Sequence, residues 1–219
     1  MLVAPGEFVF IHLPKTGGVW VRAALEAAGR APMSRRVTHV PASEVPVEYQ
    51  GLPMFGFVRD PWDWYCSMFG FCTTTGSAGM AARGWLRLAG ETFPEFVRCL
   101  ATLDENTAQA REVRDWLAGP EPEGFQACGK YVHALKGRGT GIYSWLVDLM
   151  FGEGVTVFKF EDGLGRGVAK FLGQEVAELP KLNASIREAR KQMFHDRELV
   201  DLVAEKEATT IQRFGYRFE

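Results

Sequence analysis

The sequence predicts an α/β fold, namely a single-domain, three-layer α/β/α arrangement around a mainly parallel sheet. Three observations predict it. Short apolar runs recur along the chain, and several are followed by segments with helical periodicity. These runs are apolar at successive positions, which is typical of parallel strands covered on both faces. The 219 residues are 47% hydrophobic, which is enough to bury one substantial core. We therefore expect one domain over residues 1–219.

Each predicted element follows from the local residue pattern. Apolar runs predict strands over residues 8–13, 36–40, 54–58 and 155–160. Helical patterns predict helices over residues 19–28, from residue 61 onward, and over 94–103, 105–118 and parts of 187–214. Gly29 is a suitable end for the first helix. Asp60 and Pro61 suit the cap and the first position of the second helix.

Composition limits the function classes and the compartment. The net charge of -2 argues against nonspecific nucleic-acid binding, which usually requires a strongly basic surface. No apolar run approaches the length of a membrane span, and the first residues lack a signal-peptide pattern. The cysteines show neither CxxC nor zinc-ligand spacing, so no metal site is expected; a Cys66–Cys72 disulfide stays open. We expect a cytoplasmic protein with reduced thiols.

The segment PKTGG, residues 14–18, stands where the first predicted strand gives way to a helix. A helix start has unpaired N–H groups and the positive end of the helix dipole, so it attracts anions. Gly17 and Gly18 let a phosphate approach the backbone, while Lys15 adds a charge beside Thr16. The pattern predicts a P-loop-like phosphate site without the Walker sequence. A plain glycine turn is the alternative.

A second motif, VRDPWDWYCS, covers residues 58–67. Arg59 follows a predicted strand directly, at the sheet edge where open α/β folds bind ligands. Ser67 lies two helical turns beyond the Asp60 cap and shares its face of the helix. An arginine fork and a hydroxyl together predict a second phosphate site. The alternative is that Arg59 pairs with Asp60 or Asp63 and that Ser67 has no ligand.

Together the two motifs resemble the sulfotransferases that use 3'-phosphoadenosine 5'-phosphosulfate (PAPS), especially bacterial and carbohydrate-type members. The later segments FKFEDG, LPKLNASIR and FGYRFE are also similar to such proteins. The resemblance implies that the PKTGG loop holds the 5'-phosphosulfate. It also implies that Arg59 and Ser67 hold the 3'-phosphate. A sulfuryl group would then pass to a small-molecule or glycan acceptor, with residues 70–128 forming much of the acceptor site or a lid.

Two departures from this family are visible. Val19 and Trp20 stand where its members usually carry hydroxyl side chains, so only backbone N–H groups would bind the cofactor there. The Arg-Lys-Gly element of cytosolic members is absent, and NASIREARK occupies the comparable region. Ser185 and Arg187 are the substitutes expected at the 3'-phosphate.

The expected chemistry assigns roles to a lysine and a histidine. Lys15 would stabilise charge that grows on the leaving phosphate. His39 is the expected base for the acceptor, since related carbohydrate sulfotransferases place a histidine after their second strand; a structural histidine is the alternative. His12, within the first predicted strand, is expected in the core. Glu161 is the next candidate base.

Two other functions stay open. A P-loop kinase or NTPase shares the strand–loop–helix arrangement, but it leaves Arg59 and Ser67 unexplained. A noncatalytic relative that binds PAPS or its desulfated product would explain Val19 and Trp20.

Overall fold

The computed structural model describes residues 1–30, 39–73, 89–119, 129–177, 179–180 and 190–219, and the backbone of residues 33–34. Contacts divide the chain into two compact units. The first unit comprises Met1–Arg59 and Val147–Ala184, and the second comprises Asp60–Leu146 and Ser185–Glu219. The chain passes between the units at three points, so neither unit is a continuous stretch.

All the described strands lie in the first unit. They are β1 (Leu2–Ala4), β2 (Phe8–Ile11), β3 (Met33–Ser34), β4 (Met54–Val58) and β5 (Val155–Lys159). They form one sheet in the order β3-β1-β2-β4-β5. Strands β2, β4 and β5 are parallel, whereas β1 is antiparallel to both β2 and β3. The predicted α/β class is confirmed, and the sheet is mixed where a mainly parallel one was expected.

The antiparallel part of the sheet begins with a hairpin that the sequence analysis did not predict. In it, Val3 of β1 lies opposite Val9 of β2. The turn is closed by a bond of 3.0 Å from the Glu7 N–H to the Ala4 carbonyl. Gly6 has a φ of 77°, which a tight turn can require and glycine adopts easily. The strand predicted as the first of the chain is therefore the second.

The strand predicted over residues 36–40 is wrong at the positions that can be assessed. Residues 36–38 lie outside the described part of the chain, and His39 and Val40 are not in a strand. The short strand β3 comes just before this region, and its Ser34 lies opposite Leu2 of β1.

The helices of the described residues are α1 (Gly18–Ala27), α2 (Pro61–Thr73), α3 (Phe93–Ala101), α4 (Ala108–Ala118), α5 (Ile142–Met150), α6 (Leu164–Leu172), α7 (Arg190–Met193), α8 (Arg197–Lys206) and α9 (Ala208–Phe214). The predictions for α1 to α4 and for the C-terminal helices are confirmed with small shifts of their bounds. Helices α5 and α6 were not predicted. Gly165 and Gly167 lower the helix propensity of α6, which explains that omission.

The core of the first unit lies between the sheet and the helices α1 and α6. Its buried residues are Leu2, Ala4, Phe8, Phe10, Val21, Leu25, Phe55, Phe57 and Val168. The rings of Phe55 and Phe171 stack with their centroids 4.1 Å apart. A Cβ atom at Gly167 would lie 2.6 Å from the Phe57 ring, so this glycine lets α6 approach the sheet closely.

The second unit is helical in its described part. As predicted, Asp60 caps α2, because its carboxylate accepts the Asp63 N–H at 2.9 Å. Trp62 and Trp64 are buried, and the Trp62 indole donates to the Val200 carbonyl at 3.1 Å. Phe93 is also buried, so these aromatic residues form part of the core of the second unit.

The cysteines are thiols in the described part of the chain. Cys66, Cys72 and Cys99 are buried and form no disulfide, so the Cys66–Cys72 bridge that the sequence left open is absent. Burial raises the pKa of Cys99 to about 11. Cys128 lies outside the described residues. Within the ranges described, no helix combines the length and the apolar character needed to cross a bilayer.

Candidate functional site

The candidate site lies at the carboxyl ends of the parallel strands β2, β4 and β5. The PKTGG loop connects β2 to α1, Arg59 follows β4, and Phe160 follows β5 directly. All three segments belong to the first unit. Because open α/β sheets bind ligands at this edge, the strand order itself points to the same residues as the sequence motifs.

The loop has an unusual backbone at Lys15. Among the described residues, Lys15 is the one non-glycine residue with a positive φ, at 63°. For a residue with a Cβ atom this conformation costs about 1–2 kcal/mol. Such residues concentrate at functional sites, where the surrounding structure holds them in place. Next to it, Thr16 is fully buried, and its hydroxyl donates to the Leu13 carbonyl at 2.8 Å.

The two glycines of the loop have packing reasons of their own. Gly17 has a φ of 83°, and a Cβ atom there would lie 2.5 Å from a methyl carbon of Leu164. A Cβ atom at Gly18 would overlap the ring of His12. A glycine turn therefore accounts for Gly17 and Gly18 without any ligand. It does not account for the left-handed lysine.

The start of α1 has no side-chain cap. Its N-cap residue is Gly17, which forms no side-chain bond to the first turn. Val19 is 47% exposed, and the Trp20 indole is directed to the Leu179 carbonyl at 3.4 Å while packing on the core. By contrast, Thr107 and Asp196 cap the helices that follow them. The first-turn amides of α1 are thus the donors that the loop offers to an anion.

Within the first unit, Arg59 contacts the PKTGG loop. Its guanidinium donates to the Lys15 carbonyl at 3.0 Å and lies 4.4 Å from the centroid of the Phe160 ring. The alternative partner Asp60 is engaged within the second unit, where its carboxylate accepts from Arg190 at 2.9 Å. Burial raises the pKa of Asp60, and the bonds from the Asp63 amide and Arg190 oppose that shift.

His39 forms a pair with His12. The ring centroids are 4.6 Å apart, and His39 Nδ1 lies 2.8 Å from the His12 carbonyl oxygen. A carbonyl only accepts, so Nδ1 carries the proton and Nε2 carries the lone pair in the neutral ring. His39 is 8% exposed, and burial lowers its pKa to about 4. Burial, followed by the proximity of His39, lowers the pKa of His12 well below its usual value.

The other predicted site residues lie in the second unit, outside the described residues or on the surface. Ser67 is buried on α2 in the second unit, whereas Arg59 belongs to the first. Ser185 and Arg187 lie outside the described residues, as do residues 74–88 and 120–128 of the expected acceptor region. Glu161 is exposed in a short 3₁₀ helix, Phe160–Asp162.

Sequence analysis missed two contributors to the site, His12 and Phe160. His12 was expected in the core of a strand, but β2 ends at Ile11, and the His12 ring lies beside the rings of Phe10 and His39. A signal for Phe160 was available, since it ends the fourth predicted strand. Among the described residues, no group of three or more His, Cys, Asp or Glu side chains could hold a metal ion.

No protein-family model matches the chain, and comparisons with curated proteins and with solved structures gave no significant match. The resemblance to sulfotransferases therefore rests on the sequence motifs.

Proposed function

We propose that this protein is a PAPS-dependent sulfotransferase that moves a sulfuryl group to a hydroxyl or amine of a small-molecule or glycan acceptor. The observation that carries the proposal is the left-handed Lys15, which is bonded to Arg59 where the parallel strands end. In the proposed fold, the chain forms one three-layer domain with a P-loop-like loop after β2. The protein is proposed to be cytoplasmic.

The donors of the loop suit a 5'-phosphosulfate. Lys15 supplies a positive charge, and the uncapped first turn of α1 supplies backbone N–H groups. The Thr16 hydroxyl is already donated to the Leu13 carbonyl, so Thr16 contributes through its backbone. Val19 and Trp20 likewise contribute their amides, because neither side chain carries a hydroxyl.

The 3'-phosphate is assigned to Arg59 together with Ser67, Ser185 and Arg187. A guanidinium has five N–H donors, so it can serve both the Lys15 carbonyl and a phosphate. Arg59 supports this assignment because it stands at the same sheet edge as the loop. The assignments of Ser67, Ser185 and Arg187 rest on the family resemblance alone.

The chemistry requires electrostatic stabilisation and a base. PAPS supplies the sulfuryl group and a phosphate leaving group. Lys15 and the α1 amides hold negative charge at that phosphate, a role in which preorganised donors are effective. His39 takes the acceptor proton at Nε2. Its low pKa keeps the ring neutral at pH 7, as a base must be.

Calorimetry on the purified wild-type protein tests the nucleotide class. Adenosine 3',5'-bisphosphate should bind, and ATP with magnesium should bind much more weakly. Preference for ATP with magnesium would instead support a P-loop kinase or NTPase. A screen of acceptors with PAPS, read by mass spectrometry for the mass of one added sulfuryl group, then tests turnover.

A noncatalytic relative is the second candidate, and a specific observation favours it. Val19 is exposed and Trp20 is packed on the core, at the positions where hydroxyl groups would bind phosphosulfate. Binding of the bisphosphate without turnover on any acceptor would support this candidate. Restoring the hydroxyls in Val19→Thr/Trp20→Ser should then strengthen PAPS binding.

A further inference from the structure

We infer that Arg59 is a positioning residue that holds the PKTGG loop in its left-handed conformation through the Lys15 carbonyl. This role goes beyond the binding of a 3'-phosphate. The inference rests on the proposed function only where it concerns turnover, since the contact itself belongs to the protein without a ligand.

The loop needs an external restraint because its backbone at Lys15 is unfavourable. The φ of 63° places a side chain with a Cβ atom in the left-handed region. A conformation of this kind persists only when neighbouring contacts determine it. Two hydrogen bonds contribute to this here. Thr16 bonds the Leu13 carbonyl at 2.8 Å, and Arg59 bonds the Lys15 carbonyl at 3.0 Å.

Arg59 is well placed to impose that restraint. It follows β4, an interior strand that is paired with β2 on one side and with β5 on the other, so its backbone continues from a strand held on both sides. Its guanidinium also lies 4.4 Å from the Phe160 ring centroid. The same ring approaches the loop, because a Cβ atom at Gly17 would lie 3.3 Å from it. Phe160 therefore contacts Arg59 and also lies beside Gly17, two residues beyond Lys15.

The consequence is that Arg59 links the binding of the 3'-phosphate to the position of Lys15 at the 5'-phosphosulfate. A 3'-phosphate that engages Arg59 acts on the same guanidinium that fixes the carbonyl of Lys15. The lysine that faces the 5'-phosphosulfate then depends on Arg59 even for a donor that lacks a 3'-phosphate.

Hydrogen exchange of the ligand-free protein tests the restraint without relying on activity. In Arg59→Ala, the amides of residues 15–19 should exchange at least tenfold faster, because a bond from a charged donor is lost. Arg59→Lys should retain part of the protection, since an ammonium can still donate to a carbonyl. Phe160→Leu should increase the exchange rate of the same amides by an intermediate amount. This variant replaces Arg59→Ala in the test if Arg59→Ala does not fold.

Arg30→Ala is the matched control in the same unit. Arg30 pairs with Glu7 at 2.5 Å and follows the opposite end of α1. Its removal should leave exchange of residues 15–19 unchanged. Equal exchange in Arg59→Ala and the wild type would overturn the inference.

Turnover with adenosine 5'-phosphosulfate, which has no 3'-phosphate, tests the consequence. If Arg59 positions Lys15, Arg59→Ala should lower kcat with this donor about tenfold or more, while KM changes less. An unchanged kcat would overturn the positioning role and leave Arg59 as a phosphate ligand. If the wild type neither binds the bisphosphate nor turns over, the proposed function fails. The exchange experiment alone then supports or overturns the restraint.

Discussion

Lys15 combines a left-handed backbone with the charge assigned to the leaving phosphate, and two substitutions separate these features. Lys15→Ala should lower turnover far more than it weakens binding of adenosine 3',5'-bisphosphate, because the charge acts mainly in the transition state. Lys15→Gly should lose activity similarly. It should nevertheless be more stable than Lys15→Ala by about 0.5–1 kcal/mol, since glycine adopts a positive φ without the Cβ penalty.

Kinetics and urea unfolding of both variants provide the measurement, with Lys170→Ala on α6 as the control. Equal losses of turnover and product binding would reduce Lys15 to a binding residue. Equal stability of the alanine and glycine variants would contradict the assigned backbone strain.

The lowered pKa of His39 predicts how the folding stability of the protein depends on pH. Burial lowers this pKa from 6.5 to about 4. Between pH 6.5 and about pH 4, His39 is therefore protonated in the unfolded chain but neutral in the folded protein. Folding stability should therefore fall as the pH is lowered through this window, by at most about 3 kcal/mol from this group. His39→Asn should reduce the dependence and leave the part that His12 contributes, because the asparagine amide retains a donor near the position of Nδ1 without titrating. Its turnover should drop about 10²–10⁴-fold with bisphosphate binding intact.

Unfolding midpoints and pH–rate profiles should be recorded on the same preparations. If His39 is the base, the acidic limb of the wild-type rate lies near pH 4 rather than near 6.5. Near-normal turnover in His39→Asn would end the catalytic assignment and direct attention to Glu161. The stability effect would remain as evidence for a structural histidine.

At the scale of residues, the sequence predicted that Lys15 and Arg59 follow parallel strands, but it did not predict that they contact each other. Lys15 and Arg59 were recognisable because each follows an unambiguous apolar run. Their hydrogen bond joins residues 44 positions apart. It depends on the pairing of β2 with β4 and on the φ of Lys15, neither of which a local pattern specifies. His12 was placed in the core because the end of β2 at Ile11 is not marked by a turn residue.

At the scale of elements, α5 shows how a side chain of the protein can accept the hydrogen bonds of the first N–H groups of a helix. The buried carboxylate of Glu207 accepts the Ser144 amide at 2.6 Å, the Tyr143 amide at 3.3 Å and the Tyr65 hydroxyl at 2.6 Å. Gly141 lies so close to Glu207 that any Cβ atom there would overlap the carboxylate. The first turn of α5 is thus capped, unlike that of α1.

Glu207→Ala should destabilise the protein by about 3 kcal/mol or more, because several buried donors lose their acceptor. Glu207→Gln should be milder, since one carbonyl oxygen remains. Burial raises the pKa of Glu207, so its contribution to stability should decrease as the pH rises through that pKa, and Glu207→Gln should remove this dependence. Chemical unfolding at several pH values measures both effects.

Glu205→Ala is the control, because Glu205 lies in the last turn of α8, two residues before Glu207, and is exposed. Its stability should stay within about 0.5 kcal/mol of the wild type. A comparably small change in Glu207→Ala would contradict the capping role.

The elements that the sequence predicted well have clear boundary signals. Asp60 and Pro61 begin α2, and α4 ends at Ala118 before Gly119. The three-residue strand β1 and the two-residue strand β3 are too short to show periodicity. Helix α5 is almost entirely apolar at its start, so its pattern does not separate a buried helix from a buried strand.

At the scale of the whole molecule, the sequence favoured one domain, whereas contacts divide the chain into two compact units. Nothing in the composition marks the division. The chain passes between the units at Arg59 and Asp60, in the short loop from β4 to α2, and again within α5, at Leu146 and Val147. The third passage, between residues 184 and 185, lies outside the described residues. Because helix α5 belongs to both units, we expect its unfolding to involve both of them.

Calorimetry of the full chain tests this expectation together with the nucleotide site. Unfolding should occur in one transition whose calorimetric and van't Hoff enthalpies agree. Adenosine 3',5'-bisphosphate at 100 times its Kd should stabilise the folded state by about 2.7 kcal/mol and shift the whole transition. Adenosine 5'-monophosphate should shift it less at the same concentration, and Arg59→Ala should reduce the difference between the two ligands. Two transitions, of which the bisphosphate moves only one, would show that the units unfold separately and that the ligand binds a single unit.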